Sequence, residues 1–261
     1  MALITSMVQG TDFRRFLDFV TPAFFDVMPA RALLGSARRL LRDYRDREGR
    51  RRAVEHRADR LAQAGVGPRV VQVGARPGRR VHELDPEDRR RVGHAVLELY
   101  FHQLFDAHGP TLLNLGLDRC GFDEGEPVWS PGPGHIEWPE HFRASLERVY
   151  RSFYQEGAER LEDALSPLGL APAADIFQAH FGAGDQRAVV FEVKTFVDAF
   201  HKVFVLCKKE KIRLDPAFLA LGIYLATMYE TLERVGVPLD VRGAFERVAP
   251  SERASGDRAA S

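Results

Sequence analysis

Lysine is almost absent from most of this 261-residue sequence. Only five of the 37 basic residues are lysines, and the first of them is Lys194. Any chemistry that needs a lysine in the first 193 residues is therefore excluded, including a lysine that neutralises phosphate groups. No Walker-type G-x-x-x-x-G-K-[ST] loop occurs anywhere in the chain.

Cysteine and long apolar runs are also scarce. The two cysteines, Cys120 and Cys207, are too few for a disulfide framework or a cysteine zinc cluster, which favours a reduced, cytoplasmic location. The longest nearly uncharged apolar run, from Ala217 to Tyr229, has 13 residues. A membrane-spanning helix needs about 20, so we expect no transmembrane segment. The first residues also lack the basic-then-apolar order of a signal peptide.

Charge is balanced over the chain but not along it. The 37 basic and 37 acidic residues give a net charge of zero, which argues against a nucleic-acid partner. Between Arg31 and Arg60, however, 11 arginines stand against five acidic residues, directly after an apolar, aromatic segment over 13–28. This order favours contact with an anionic membrane surface, alongside the alternative of a solvated helix with segment 13–28 in the core. The arginines expected to make the contact are Arg38, Arg39, Arg42, Arg50, Arg51 and Arg52.

Apolar residues recur at helical spacing through most of the chain and predict a mainly α fold. Asp85 followed by Pro86 is typical of a helix start, because Asp85 can cap free N–H groups and proline suits the first turn. This helix should run to about Ala107. Further helices are expected within 31–60, from Pro139 onward, near 187–210 and near 216–235.

Short β elements are expected between these helices. The segment from Val70 to Val73 is β-branched and precedes Gly and Pro, which predicts a strand and a turn. Leu112–Leu117 and Pro127–Trp129 are expected to pair around a Gly-Phe-Asp-Glu-Gly turn. The predicted organisation is a helical N-terminal segment over 1–64, a helical domain with one or two β-hairpins over 65–248, and a disordered tail over 249–261.

One group of polar residues has the spacing of metal ligands. His94, Glu98 and His102 lie four residues apart on the helix that begins at Pro86, so one helix face carries all three. Asp198 and His201 could complete the site from a second helix, as in dinuclear carboxylate bundles. The protein would then be a helical-bundle metalloenzyme that binds a transition metal. The alternative is a half-exposed polar helix face, since nine histidines make chance spacings common.

Residues 69–245 resemble the middle and C-terminal part of the UbiB/AarF family of atypical kinase-like proteins, which are linked to ubiquinone biosynthesis and lipid homeostasis. The resemblance implies a helical domain like a kinase C-lobe. It is carried by three stretches: a hinge-like strand, turn and helix in RVVQVGARPGRRVHELDPEDRRRVGHAVLELYFHQLF, a later helix in EWPEHFRASLERVYRSFYQEGAERLEDAL, and a helical pair in CKKEKIRLDPAFLALGIYLATMYETLERVGVPLDVRGAFE.

The chain departs from this family where the chemistry would be. In place of the catalytic loop His-x-Asp-Pro-His-Pro-Gly-Asn it has HGPTLLN, in which only Asn114 survives, at the metal-ligand asparagine position. The Asp-Phe-Gly position falls at Ser130–Gly132 and has no carboxylate, and the N-lobe lysine has no counterpart. One asparagine cannot hold Mg²⁺ alone, since that ion usually takes carboxylate ligands.

The resemblance therefore implies a kinase-inactive member of the family, without catalytic residues or a cofactor. It would act as a binding or scaffold protein in lipid or quinone metabolism, peripherally at the membrane surface. The partners expected are a lipid or prenyl ligand, an anionic membrane and a partner protein. Two alternatives stay open: a pseudokinase that binds ATP and Mg²⁺ around Asn114 without turnover, and the metalloenzyme described above.

Overall fold

The structure is a computed structural model that describes residues 22–28, 30–156, 160–181 and 188–249. The predicted disordered tail lies outside the described residues from position 250 onward, as do residues 13–21 of the aromatic segment. None of the helices in the described ranges is long and apolar enough to cross a membrane.

The described residues are mainly helical with a small β component, which confirms the predicted fold class. The helices are α1 Pro22–Val27, α2 Ala30–Arg45, α3 Arg47–Ala64, α4 Pro86–Phe105, α5 Glu140–Arg151, α6 Leu161–Leu165, α7 Ala174–Phe181, α8 Val193–Lys209, α9 Phe218–Val235 and α10 Val241–Val248. The strands are β1 Arg69–Val70, β2 Arg79–Arg80, β3 Thr111–Leu112, β4 Cys120–Asp123, β5 Glu126–Trp129 and β6 His135–Ile136.

Two long helices, α4 and α9, form the centre of the fold. Helix α4 begins as predicted, because the carboxylate of Asp85 accepts hydrogen bonds from the N–H groups of Glu87 and Asp88 at 2.9 Å each. Helix α9 is buried along nearly its whole length and ends at Gly236, whose left-handed φ of 62° suits glycine. Both helices therefore have side chains on several faces in the core, and the remaining elements pack around them.

The β elements differ from the prediction in their pairing. The hairpin is made by β4 and β5, which pair Asp123 with Glu126 across a two-residue turn. Both turn residues have positive φ, 50° at Glu124 and 83° at Gly125, as a type I′ turn requires. The predicted pairing of Leu112–Leu117 with Pro127–Trp129 is wrong.

Two further pairings join elements that are distant in sequence. Strand β3 pairs antiparallel with β6 in a separate two-stranded sheet. Strand β1 lies parallel to β5, with Arg69 opposite Val128, and gives the four-stranded order β1-β5-β4-β2. The strand predicted at Val70–Val73 thus overlaps β1 only at Val70, and β1 joins the hairpin.

The described part of the N-terminal segment packs into the common core. On α1, Phe24 is buried and its ring lies 5.2 Å from that of Phe204 on α8. Leu40 on α2 and Leu61 on α3 belong to the same buried cluster as α4 and α9. The apolar residues of α1 therefore lie in the core, which was the alternative to a membrane anchor.

Candidate functional site

The loop after β3 occupies the place where the family resemblance puts the catalytic loop. Leu112, which ends β3, and Leu113 and Leu115 in the loop are each at most 2% exposed. The chain here directs leucines into the core instead of presenting charged groups to solvent. Only Leu112 of this apolar run belongs to a strand, β3, and the residues that follow it form the buried loop.

Polar side chains from α4 and α9 satisfy the buried backbone of this loop. The carboxamide of Gln103 accepts from the N–H of Leu112 at 2.8 Å and donates to its carbonyl at 3.2 Å. The Thr231 hydroxyl donates to the carbonyl of Leu115 at 2.7 Å. The Thr227 hydroxyl accepts from the Leu115 N–H at 3.2 Å. Buried backbone groups that find such partners need neither water nor a ligand.

Asn114 is enclosed in the same loop. It is 5% exposed, and its side-chain oxygen accepts from the N–H of Gly116 at 2.7 Å, a local turn typical of asparagine. Its carbonyl accepts from the indole N–H of Trp129 at 3.1 Å. Gly132 packs so closely that a Cβ atom there would lie 2.8 Å from the Cβ of Asn114. The oxygen that would coordinate a metal ion is therefore committed to the chain's own backbone.

The hinge-like strand and the hairpin are also joined directly. The N–H of Val71, which continues β1, donates to the carbonyl of Trp129 at 2.9 Å. The hydroxyl of Ser130, where the resemblance places the Asp-Phe-Gly motif, donates to the carbonyl of Gln72 at 3.1 Å. Ser130 is fully buried, so it links two backbone segments and is not directed towards solvent.

A buried ionic network lies at the start of this loop. Arg57 of α3 is fully buried, and its guanidinium contacts the Asp106 carboxylate at 3.1 Å and donates to the Pro110 carbonyl at 3.3 Å. The ring nitrogen Nε2 of His56 lies 2.8 Å from the same carboxylate. Arg57 lies four residues from both Ala53 and Leu61, the other buried residues of α3. This helical spacing is the signal in the sequence that distinguishes Arg57 from the exposed arginines beside it.

Burial and charge set the protonation states of this network. Desolvation lowers the pKa of Arg57, although Asp106 opposes it. Burial alone would raise the pKa of Asp106, but the hydrogen bond with His56 and the charge of Arg57 outweigh it and lower the pKa. Burial and Arg57 lower the pKa of His102 to about 4. His102 is therefore neutral near pH 7, and its Nδ1, 2.6 Å from the guanidinium, is the acceptor.

The structure does not bring the five proposed metal ligands into one group. The ring nitrogen Nε2 of His94 accepts from the N–H of Asp240 at 3.1 Å. Glu98 accepts from the N–H of Gly67 and pairs with Arg247, both at 2.6 Å. The Nδ1 atom of His102 lies 2.6 Å from the Arg57 guanidinium. On α8, Asp198 pairs with Lys194 at 2.7 Å, and His201 is exposed. Over the described residues, no three His, Cys, Asp or Glu side chains are placed to hold an ion. The metal hypothesis stays a prediction.

The six arginines proposed for an anionic surface fall into two groups. Arg38, Arg39 and Arg42 are exposed on α2, where Asp43 is the acidic neighbour of Arg42 at 3.3 Å. On α3, by contrast, Arg51 is held at 2.7 Å by both Glu48 and Glu55, Arg52 lies 3.8 Å from Glu48, and Arg50 is half-buried. Positive charge is therefore less neutralised on α2 than on α3.

No protein-family model matches this chain, and no curated protein sequence matches it. The UbiB/AarF resemblance therefore rests on the three sequence stretches that carry it.

Proposed function

We propose that this protein is a kinase-like domain of the UbiB/AarF type that has lost phosphoryl transfer and acts as a binding or scaffold protein in lipid or quinone metabolism. The observation that carries the proposal is the enclosed loop after β3. Its leucines fill the core, and the carboxamide of Asn114 closes its own turn. Phosphoryl transfer depends on positioned metal ions and cations, which need side chains directed at the phosphates.

The surroundings of the loop support the same conclusion. Ser130 stands where a metal-binding carboxylate would be, and its hydroxyl is bonded to the Gln72 carbonyl. No lysine precedes Lys194, which itself lies on α8 beside Asp198. A kinase-like enzyme with this sequence would need other groups to do the work of the metal-binding carboxylate, the phosphate-binding lysine and an open catalytic loop.

The exposed face of α2 supports a membrane-surface location for this binding role. Leu33, Ala37 and Leu40 are buried on one face, which fixes the orientation of the helix. The opposite face carries a stripe of exposed arginines at positions 31, 38, 42 and 45, spaced by about whole numbers of turns. Each basic residue near an anionic bilayer contributes about 1 kcal/mol of attraction.

Calorimetric titration with MgATP tests whether the domain still binds the nucleotide that phosphoryl transfer requires. We expect no saturable heat for the full chain, because Asn114 and Ser130 are bonded within the fold. Asn114→Ala serves as the matched variant and should behave like the unsubstituted protein. Saturable binding that disappears in Asn114→Ala would overturn the proposal in favour of a nucleotide-binding pseudokinase.

Co-sedimentation with vesicles tests the membrane surface separately. Binding should be stronger to phosphatidylserine-containing vesicles than to neutral phosphatidylcholine vesicles. The double substitution Arg38→Gln and Arg42→Gln should reduce partitioning about tenfold or more, since two attractions of about 1 kcal/mol are lost. Arg51→Gln with Arg52→Gln, which removes the same formal charge from acid-paired sites, should reduce it less. Equal pelleting with both kinds of vesicle would contradict the membrane contact.

A further inference from the structure

Two cavities lie beside α9, on the side away from the enclosed loop. The outer cavity has a volume of about 110 Å³ and lies between α4, α5, α9 and the segment that precedes α8. The inner cavity has a volume of about 60 Å³ and lies between α5, α6, α7 and α9. Both are several times larger than the roughly 10–15 Å³ that one water molecule needs. The two cavities share Tyr150, Tyr154 and Leu225 as walls.

The shared wall is built by an unusual backbone segment. Helix α5 continues into a π-helical turn over Ser152–Glu156, which carries Phe153 and Tyr154. The rings of Tyr150 and Tyr154 lie 6.3 Å apart and almost parallel, at 6°. Turns of the π type are rare and are frequent at functional sites. Here α5 contributes Tyr150 and the turn contributes Tyr154, and both rings line the two cavities.

The inner cavity is apolar throughout. Among the described residues that line it, all are leucine, valine or phenylalanine except Tyr150 and Tyr154. Water gains little in such a cavity, because it needs two to four polar partners. Apolar cavities of this kind take up small hydrocarbons instead. The inner cavity therefore suits a hydrocarbon group.

The outer cavity has a polar side that is open to solvent. Glu192 and Thr195 are exposed there, and the Thr195 hydroxyl donates to the Glu192 carboxylate at 2.9 Å. Val190 is 53% exposed beside them. A carboxylate accepts hydrogen bonds from a hydroxyl or amino group but repels another carboxylate. The polar end of a ligand here should therefore be a hydrogen-bond donor.

We propose that the two cavities form one binding site for a single linear hydrocarbon chain with a hydroxyl or amino head. The head lies at Glu192, the chain passes Tyr150, Tyr154 and Leu225, and its end fills the inner cavity. The inference deepens the proposed binding role and rests on it, since it names the class of ligand that this kinase-like domain holds.

Methionine methyl groups offer a direct test with 1-decanol as the probe. Met228 lines the outer cavity, whereas Met28 is buried beside α1 and lines neither cavity. The methionine methyl groups are labelled with ¹³C, and their NMR signals are assigned by substituting each methionine with leucine. Addition of 1-decanol should shift the Met228 signal saturably and leave the Met28 signal unchanged. An unmoved Met228 signal up to the solubility limit, or equal shifts at both residues, would overturn the proposal.

Substitutions then separate the tail from the head. Leu225→Phe enlarges the shared wall and should weaken 1-decanol binding at least tenfold. If Leu225→Phe fails to fold, the exposed substitution Glu192→Gln still tests the head-group end of the site. The unsubstituted protein should prefer 1-decanol over decanoate at least tenfold, and Glu192→Gln should narrow that ratio. Glu246→Gln, an exposed change on α10 away from the cavities, should keep the ratio. A preference for decanoate in the unsubstituted protein would contradict the assigned head group.

This experiment and the MgATP titration fail independently. If MgATP binds saturably, a nucleotide-binding pseudokinase replaces the proposed nucleotide-free binding protein, whatever 1-decanol does. If MgATP does not bind and 1-decanol does not shift the Met228 methyl signal, the proposed hydrocarbon site is overturned. The proposed kinase-inactive domain then stands.

Discussion

The two sides of α9 differ in how completely the protein fills them. On one side, Thr227 and Thr231 form hydrogen bonds with the backbone of the loop after β3, and Tyr224 forms one with Gln103. The Tyr224 hydroxyl accepts from the Gln103 carboxamide at 2.9 Å, and Thr231 donates to Leu115 at 2.7 Å. This side has little free space and few free polar groups. A ligand would have to displace protein groups that already have partners.

On the other side, Leu221, Leu225 and Met228 border the two cavities. These side chains are apolar, and the cavities remain between them and the tyrosine rings of Tyr150 and Tyr154. The open space beside α9 therefore lies next to α5 and α8 and not next to the loop after β3. The fold therefore fills the space around the loop after β3 and leaves open space among its later helices.

The largest expected effect concerns the buried arginine on the filled side. Arg57→Ala leaves the Asp106 carboxylate buried without its guanidinium, which should lower the free energy of unfolding by about 3–5 kcal/mol. Arg51→Ala, on the same helix, removes two ion pairs from an arginine whose side chain is 57% exposed, and should cost less than about 1 kcal/mol. Urea unfolding followed by circular dichroism measures both. Equal losses would show that the network at Arg57 does not differ from a surface ion pair.

A smaller effect is expected from the pH dependence of His102. Its pKa is about 4 in the folded protein against 6.5 in the unfolded chain, so the unfolded state binds more protons between these values. The contribution of His102 is therefore complete above pH 6.5 and is lost as the pH falls towards 4, by about 3 kcal/mol at most. His102→Gln keeps an acceptor for Arg57 but does not titrate.

The control for this titration is His82→Gln, since His82 is exposed. The free energy of unfolding should fall less steeply between pH 6.5 and 4 in His102→Gln than in the unsubstituted protein. His82→Gln should follow the unsubstituted curve. Parallel curves for all three proteins would contradict a neutral, buried His102.

The helices could be predicted from the sequence because their signals are local. Asp85 and Pro86 begin α4 by capping and by a fixed φ, and both act within one turn. Before α9, Asp215 accepts from the N–H of Ala217 at 2.7 Å in the turn that leads into the helix, which begins at Phe218. The long apolar stripes then need only a partner surface, and the predicted ranges differ from the structure by a few residues.

Strand pairing and the candidate site depend on contacts that are distant in sequence. The parallel pairing of β1 with β5 joins Arg69 to Val128, and nothing near either residue encodes it. The apolar run continues beyond Leu112 with the composition of a strand, but it forms a buried loop in which Thr227 and Thr231 satisfy the backbone of Leu115. Arg57 looks like its exposed neighbours until its position between Ala53 and Leu61 is considered.

The smallest effect compares added volume on the two sides of α9. Gly132→Ala places a Cβ atom 2.8 Å from the Asn114 Cβ and 3.1 Å from its amide nitrogen, so the loop has to move, at a cost of about 1–3 kcal/mol. Leu168→Phe adds volume beside the inner cavity, where space exists. It should change the free energy of unfolding by less than about 1 kcal/mol and can stabilise the protein by filling the cavity. Urea unfolding under one set of conditions ranks the two variants. If Leu168→Phe costs as much as Gly132→Ala, the inner cavity is not free space and the contrast between the two sides of α9 is wrong.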